Sequence, residues 1–196
     1  TVITSRFDRT NAVIAAVVWL FSLTLYTLTT APTLSFWDCG EFIAVSSILG
    51  VPHPPGSALY VLLGRLFSLL PTVSDPAMRV NLLSGVSSAF AAMFGYLVVV
   101  RLLRSWFTQT DRLTRTIVYG GGIAGALFAA FGFVNWNNSV EAEVYGLTIL
   151  IMLAVIWLGL MYRDYQGTPR GDRLMFLAVF LRSEERRVGK ECRSRW

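Results

Sequence analysis

Lysine is almost missing from this 196-residue chain, which has one, Lys190, and histidine is reduced to His53. Charged residues of every kind make up 15% of it, against about 25% in an ordinary soluble domain. Cysteine is scarce too: Cys39 and Cys192 are the full complement, too few for a disulfide framework or a cysteine-built metal site. A phosphate loop is also lacking. The glycines Gly120, Gly121, Gly122 and Gly125 have no Lys-Ser/Thr after them and no strand pattern before them, and fit small-residue helix packing instead. What is plentiful is apolar: 54% of residues are hydrophobic and 13% aromatic, with a mean hydropathy of +0.55. The composition excludes a soluble domain and a disulfide-stapled secreted one. It is that of an all-α, polytopic transmembrane helix bundle.

The last fifteen residues, RSEERRVGKECRSRW from Arg182 to Trp196, stand apart. They match the read-through translation of a common sequencing adapter, in which AGA-TCG-GAA-GAG gives Arg-Ser-Glu-Glu. We expect an artefact and leave 182–196 out of fold reasoning; the alternative is a natural basic cytoplasmic tail. The tail holds Lys190, and up to residue 181 the chain carries 11 arginines against 9 acids. The formal charge of +5 is therefore no argument for nucleic acid. On this view the chain stops inside a span and is the truncated N-terminal part of a longer protein.

Runs near twenty apolar residues are spanning candidates. They fall at about 11–30, 80–100, 117–134 and 144–162, and a fifth begins at 174–181 and is cut. The first is too long for the core of a signal peptide and reads as a retained anchor. The segment 31–79 between the first two spans is rich in Pro, Ser and Gly. Inside it, 57–70 is apolar but short, with Arg65 at its middle, which predicts a helix lying in the interface. Arginine placement sets the orientation. With four full spans, the cytoplasmic pieces 1–10, 101–116 and 163–173 hold nine of the eleven arginines. Were 57–70 a true span, the four arginines of 101–116 would move outside. Asp38, Glu41 and His53 then lie at the outer end of the first span, and Glu141 and Glu143 at the outer end of the third and fourth. One pocket can hold both groups.

Each group has a plain alternative. Asp38 and Glu41 are three apart and share a face if 36–49 is helical. Such a pair can divide base and binding roles, or merely cap a helix start. His53 in the His53-Pro54-Pro55-Gly56 turn is rigidly placed, or simply exposed. Glu141, Glu143 and Tyr145 open the fourth span, where acids also suit the helix dipole. Trp136 fits an interfacial aromatic belt. Asp111 and Asp164 read as solvated loop charges.

In order, the chain presents a span, FWDCGEF at 36–42, HPPG at 53–56, DPAMRVNLLS at 75–84 and WNNSVEAEVY at 136–145. This series resembles bacterial membrane proteins, long catalogued as a domain of unknown function, that are related to the animal transmembrane O-mannosyltransferase of plexin-type receptors. It is more distantly similar to the established protein O-mannosyltransferases, which carry an acidic pair after their first span. The resemblance covers nearly all of 11–181. It implies a GT-C fold in a multi-pass protein of the bacterial inner membrane, with a periplasmic (elsewhere lumenal) active face. It implies sugar transfer from a polyprenyl-phosphate donor to a hydroxyl on a protein or glycan. Carried over, Asp38 is the candidate base and Glu41 its support. His53 faces the donor phosphate or fixes its loop, and Glu143 sits where relatives carry an acid at the outer end of a later span; with Glu141 and Tyr145 it is a candidate for binding substrate. Cys39 stands where a small residue is expected. No cofactor or metal is called for, since the lipid phosphate is itself a competent leaving group, and this segment alone is not expected to be active. The competing classes are a membrane transporter, which wants ionisable groups at the bilayer midplane where 80–100 and 117–134 carry none, and a non-catalytic assembly protein.

Overall fold

The computed structural model describes residues 9–35, 37–54, 57–107 and 111–188. Phe36 and the Pro55-Gly56 half of the expected turn lie outside the described residues, as do 1–8, 108–110 and the tail beyond 188. Among the described residues every regular element is a helix. In order they are α1 (Arg9–Thr29), α2 (Cys39–Ile48), α3 (Ala58–Leu69), α4 (Pro76–Trp106), α5 (Arg112–Phe131), α6 (Phe133–Val140), α7 (Tyr145–Tyr162) and α8 (Pro169–Val188).

Helices α1, α4, α5 and α7 are long and apolar enough to cross a bilayer, and they coincide with the four expected spans. Helix α3 has 12 residues, rising about 18 Å at ~1.5 Å per residue, well short of the roughly 30 Å hydrocarbon core. Half-buried Arg65 donates from Nη1 to the Ser47 carbonyl at 2.5 Å, so the charge ties α3 to the last turn of α2.

Helix α4 organises the bundle. Asp75 caps it, accepting a hydrogen bond from the Ala77 N–H at 2.7 Å, and Pro76 takes the first helical position, where its missing N–H costs nothing. Its 31 residues rise about 46 Å, enough to stand out of a bilayer at both ends. All the other helices except α8 pack on it. Apolar burial does not by itself drive helices together in lipid, so close packing of small residues matters. A Cβ on Gly122 would sit 2.5 Å from Val100 of α4, and one on Gly146 of α7 would sit 2.5 Å from the Ser88 hydroxyl. Both glycines are contact surfaces, which accounts for Gly122 of α5 without a phosphate, whereas a Cβ on Gly120 would meet open space.

The third span ends three residues before its apolar run does. A helix through 134 would give the Ala130 carbonyl to the N–H four residues on. Here Ala130 O accepts from Tyr26 Oη at 2.7 Å and Asn135 Nδ2 at 2.9 Å. The chain turns at Gly132, with φ −58° and ψ 138°, and resumes as α6. Trp136 packs with Tyr26 and Phe131 at centroid distances of 5.6 and 5.3 Å, so it belongs to an aromatic cluster. At the other end of the bundle Asp164 is an exposed loop residue, as expected, but its carboxylate also pairs with the Arg101 guanidinium, which is 8% exposed and donates to Leu160 O at 3.0 Å. Helix α8 returns along α7, and Leu181 reaches the core around Phe42 and Tyr60. It then runs on to Val188, through residues whose Arg and Glu are good helix formers.

Candidate functional site

The ends of α1, α5 and α6 and the starts of α4 and α7 meet at one end of the bundle. Two irregular segments are stitched together there. The Ala31 N–H donates to Val140 O at 2.8 Å, and Ala31 O accepts from Asn81 Nδ2, also at 2.8 Å. Asn81 is fully buried, and its amide also donates to Thr33 O at 3.0 Å and accepts from Cys39 Sγ at 3.6 Å. One asparagine on α4 thus fixes the chain leading into α2. Burial pushes the Cys39 thiol above its ordinary pKa, so it serves as a packed neutral donor rather than as a nucleophile.

Trp37 precedes α2 with φ 61°. A bulky residue in the left-handed region costs roughly 1–2 kcal/mol. Its indole recovers little of that by packing, since the residue is 88% exposed. Asp38 starts the helix, its carbonyl accepting from Phe42 N–H at 3.0 Å, yet its carboxylate makes no cap hydrogen bond. Glu41 does not turn back to close a capping box either. Its carboxylate takes the His53 backbone N–H at 2.7 Å and His53 Nδ1 at 2.6 Å. That hydrogen bond from the imidazole, helped by the backbone N–H and the ring's charge, holds the Glu41 carboxyl below the ordinary glutamate range. Asp38, Glu41 and His53 each offer a ligand atom, all within 4.8 Å of one another. Two carboxylates and an imidazole at that spacing could share a divalent cation.

The second acidic segment approaches from α6 and α7. Glu143 is 7% exposed, and one hydroxyl holds its backbone on both sides. Ser84 Oγ donates to Glu143 O at 3.0 Å and accepts from Glu143 N–H at 3.1 Å. Tyr60 Oη lies 3.2 Å from the same oxygen. Both acids precede α7, whose N-cap is Val144 and whose first turn holds no acid.

Between the segments lies a cavity of about 300 Å³. Trp37 and Asp38 form one wall, with Glu141, Glu143 and Tyr145 opposite. Helix α6 supplies Phe133, Val134, Asn137 and Asn138. The structure therefore brings Asp38, Glu141, Glu143 and Tyr145 to one pocket, with Glu41 and His53 beside Asp38. Sequence reasoning passed over Asn137, Asn138, Ser84 and Asn81. The two amides stand in the same motif as the acids, and their only signal was that proximity. Chemically the pocket offers carboxylates to accept protons or hydroxyl hydrogen bonds, amides to do both, and exposed apolar side chains at its rim.

A family model, the protein O-mannosyl-transferase TMEM260 N-terminal domain, matches residues 38–183. The mouse protein O-mannosyl-transferase TMEM260 is 31% identical over 169 residues, 86% of this chain and 22% of the relative. A Dictyostelium discoideum protein of the same name is 28% identical over 156 residues, 78% of this chain and 18% of the relative. The chain thus spans about a fifth of the length of these relatives. No solved structure matches it.

Proposed function

The chain belongs to the family of the protein O-mannosyl-transferase TMEM260 N-terminal domain, and we propose that it forms the proton-accepting part of a membrane O-mannosyltransferase site. The observation that carries this is the shared cavity of Asp38 and Glu143. Their segments are about a hundred residues apart in sequence and meet at one end of a bundle with four candidate spans. The names of the relatives supply the reaction class, and the chemistry supplies the rest.

A protein hydroxyl attacks the anomeric carbon of mannose carried on a polyprenyl phosphate. The new C–O bond forms as the bond from that carbon to phosphate breaks, and the phosphate leaves with the electron pair. The hydroxyl proton goes to Asp38, the carboxylate of the outer segment that is free of capping duty. A base must stand within hydrogen-bond reach of the proton it takes, and Asp38 lines the cavity at which the acceptor hydroxyl would meet the sugar. Glu41 and His53 hold the loop beside it, and Glu143 and Glu141 bind hydroxyls. Arginine placement favours the non-cytoplasmic face for this end of the bundle, and the fold would be of the GT-C type.

The test is Asp38→Asn in a full-length family member carrying this segment, assayed for mannose transfer from a lipid phosphate. Turnover should fall by roughly a hundredfold or more, with folding intact because no cap bond is lost. Near-normal transfer would remove Asp38 as the base.

A further inference from the structure

We propose that the cavity between Trp37 and α6 receives the neutral sugar ring, with the Trp37 indole as the platform under its C–H face, while the donor phosphate lies outside it. This rests on the transferase reading and adds which part of the substrate this pocket takes and which residues recognise it.

Three observations carry it. The first is Trp37 itself. A left-handed backbone at 61° is an unfavourable place for a tryptophan, and its ring is not buried in return. Strain of this kind persists where the surroundings over-determine it, characteristically at ligand sites. Here it turns a flat apolar ring to the mouth of a pocket. The second is the pattern of the walls. The mouth is apolar, with Phe133 80% and Val134 72% exposed, while Glu143 is nearly buried and Asn137 and Asn138 add amides. A pyranose has the matching halves, a C–H face that packs on an aromatic ring and an edge of hydroxyls that both donate and accept. Carboxylates and amides satisfy both directions. The volume of about 300 Å³ is at the small end for ligand pockets and suits one ring.

The third is charge. Asp38, Glu141 and Glu143 line the cavity, and among the described residues no lysine or arginine does. Arg65 and Arg79, on the same side of the chain's fold, are turned to backbone carbonyls of Ser47, Val73, Ser68 and Ser74. A phosphate placed among three carboxylates meets only like charge from the side chains lining the pocket, and like charges repel. The phosphate must be neutralised by groups beyond this pocket.

The experiment uses the full chain in detergent micelles with methyl α-D-mannopyranoside as the probe and saturation-transfer NMR as the readout. The wild type should saturate the sugar's ring protons. Trp37→Ala should reduce that transfer at least fivefold, Trp37→Phe should keep most of it, and inorganic phosphate in excess should not displace the sugar. Trp37→Gly should lose the sugar like alanine yet unfold no earlier than the wild type, because glycine accepts the left-handed backbone freely. That separates a lost platform from a lost fold. Absence of transfer to the wild type, equal transfer to Trp37→Ala, or displacement by phosphate would each overturn the proposal. Its fate is separable from that of the catalytic reading. Trp37-dependent mannoside binding beside unimpaired transfer by Asp38→Asn would sink the base and leave the sugar pocket standing. Lost transfer by Asp38→Asn beside Trp37-independent binding would do the reverse.

Discussion

Replacing Glu41 with alanine should loosen the chain around His53 while leaving the bundle folded. The Glu41 carboxylate accepts two hydrogen bonds from His53, one from the backbone at 2.7 Å and one from Nδ1 at 2.6 Å. Hydrogen bonds to charged groups contribute about 1.5–3 kcal/mol each when buried. Both side chains are about one-third exposed, 34% and 36%, so solvent screening cuts the sum to about 2 kcal/mol. At ~1.4 kcal/mol per tenfold, that is roughly a thirtyfold loss of hydrogen-exchange protection at residues 49–54. Glu41→Gln keeps one acceptor oxygen and should lose about fivefold. The pH dependence has a definite sign. The carboxyl's folded pKa is depressed below its ordinary 4.5, so the opened loop binds the proton more readily. The stabilisation is present above that value and fades as the pH falls through the folded one. Wild-type protection, corrected for intrinsic exchange, should therefore fall towards the alanine level in acid, whereas the glutamine variant stays flat. Less than a twofold change in Glu41→Ala, or an equal loss spread along α4, would refute a local brace.

Other outcomes follow from the same geometry. Asn81→Ala strands the Ala31 and Thr33 carbonyls that its amide serves, and should cost about 2 kcal/mol in denaturant unfolding, with exchange rising first at 31–35. Asp164→Asn leaves the 8%-exposed Arg101 charge without its counter-ion and should cost about 3 kcal/mol in the same assay; a neutral result would mean that the pair is solvated. In a Cys192→Ser background, a membrane-impermeant thiol reagent should label Ser74→Cys in intact cells and spare Ser105→Cys. The opposite pattern would invert the topology.

The four spanning candidates were readable because a run of about twenty apolar residues has few fates other than crossing a bilayer. The helix over 57–70 was readable from its length, and the meeting of the two acidic segments from where the arginines fall. What escaped depended on partners distant in sequence. The break at Gly132 is held open by Tyr26, which takes the Ala130 carbonyl from 104 positions away, and no local pattern marks it. Asp164 looked like a loop charge because Arg101 stands 63 positions earlier. The spacing of Asp38 and Glu41 fits a capping box and a working pair equally well. His53, twelve positions on, decides which way Glu41 points. Trp37's backbone is invisible to a composition that shows only an aromatic residue near an interface.

The Ala31 peptide unit, with its N–H on Val140 and its carbonyl on Asn81, also sets how the cavity can move. One wall hangs from the end of α1 and the other from the end of α6, and this single residue rivets them to each other and to α4. Widening the gap between them breaks the Ala31–Val140 bond, so the walls should travel together on any timescale shorter than local unfolding. Entry and exit of a ligand must therefore use the open mouth rather than a parting of the walls. A residue inserted between 29 and 35 should jam that mouth out of register even though it alters none of the acids.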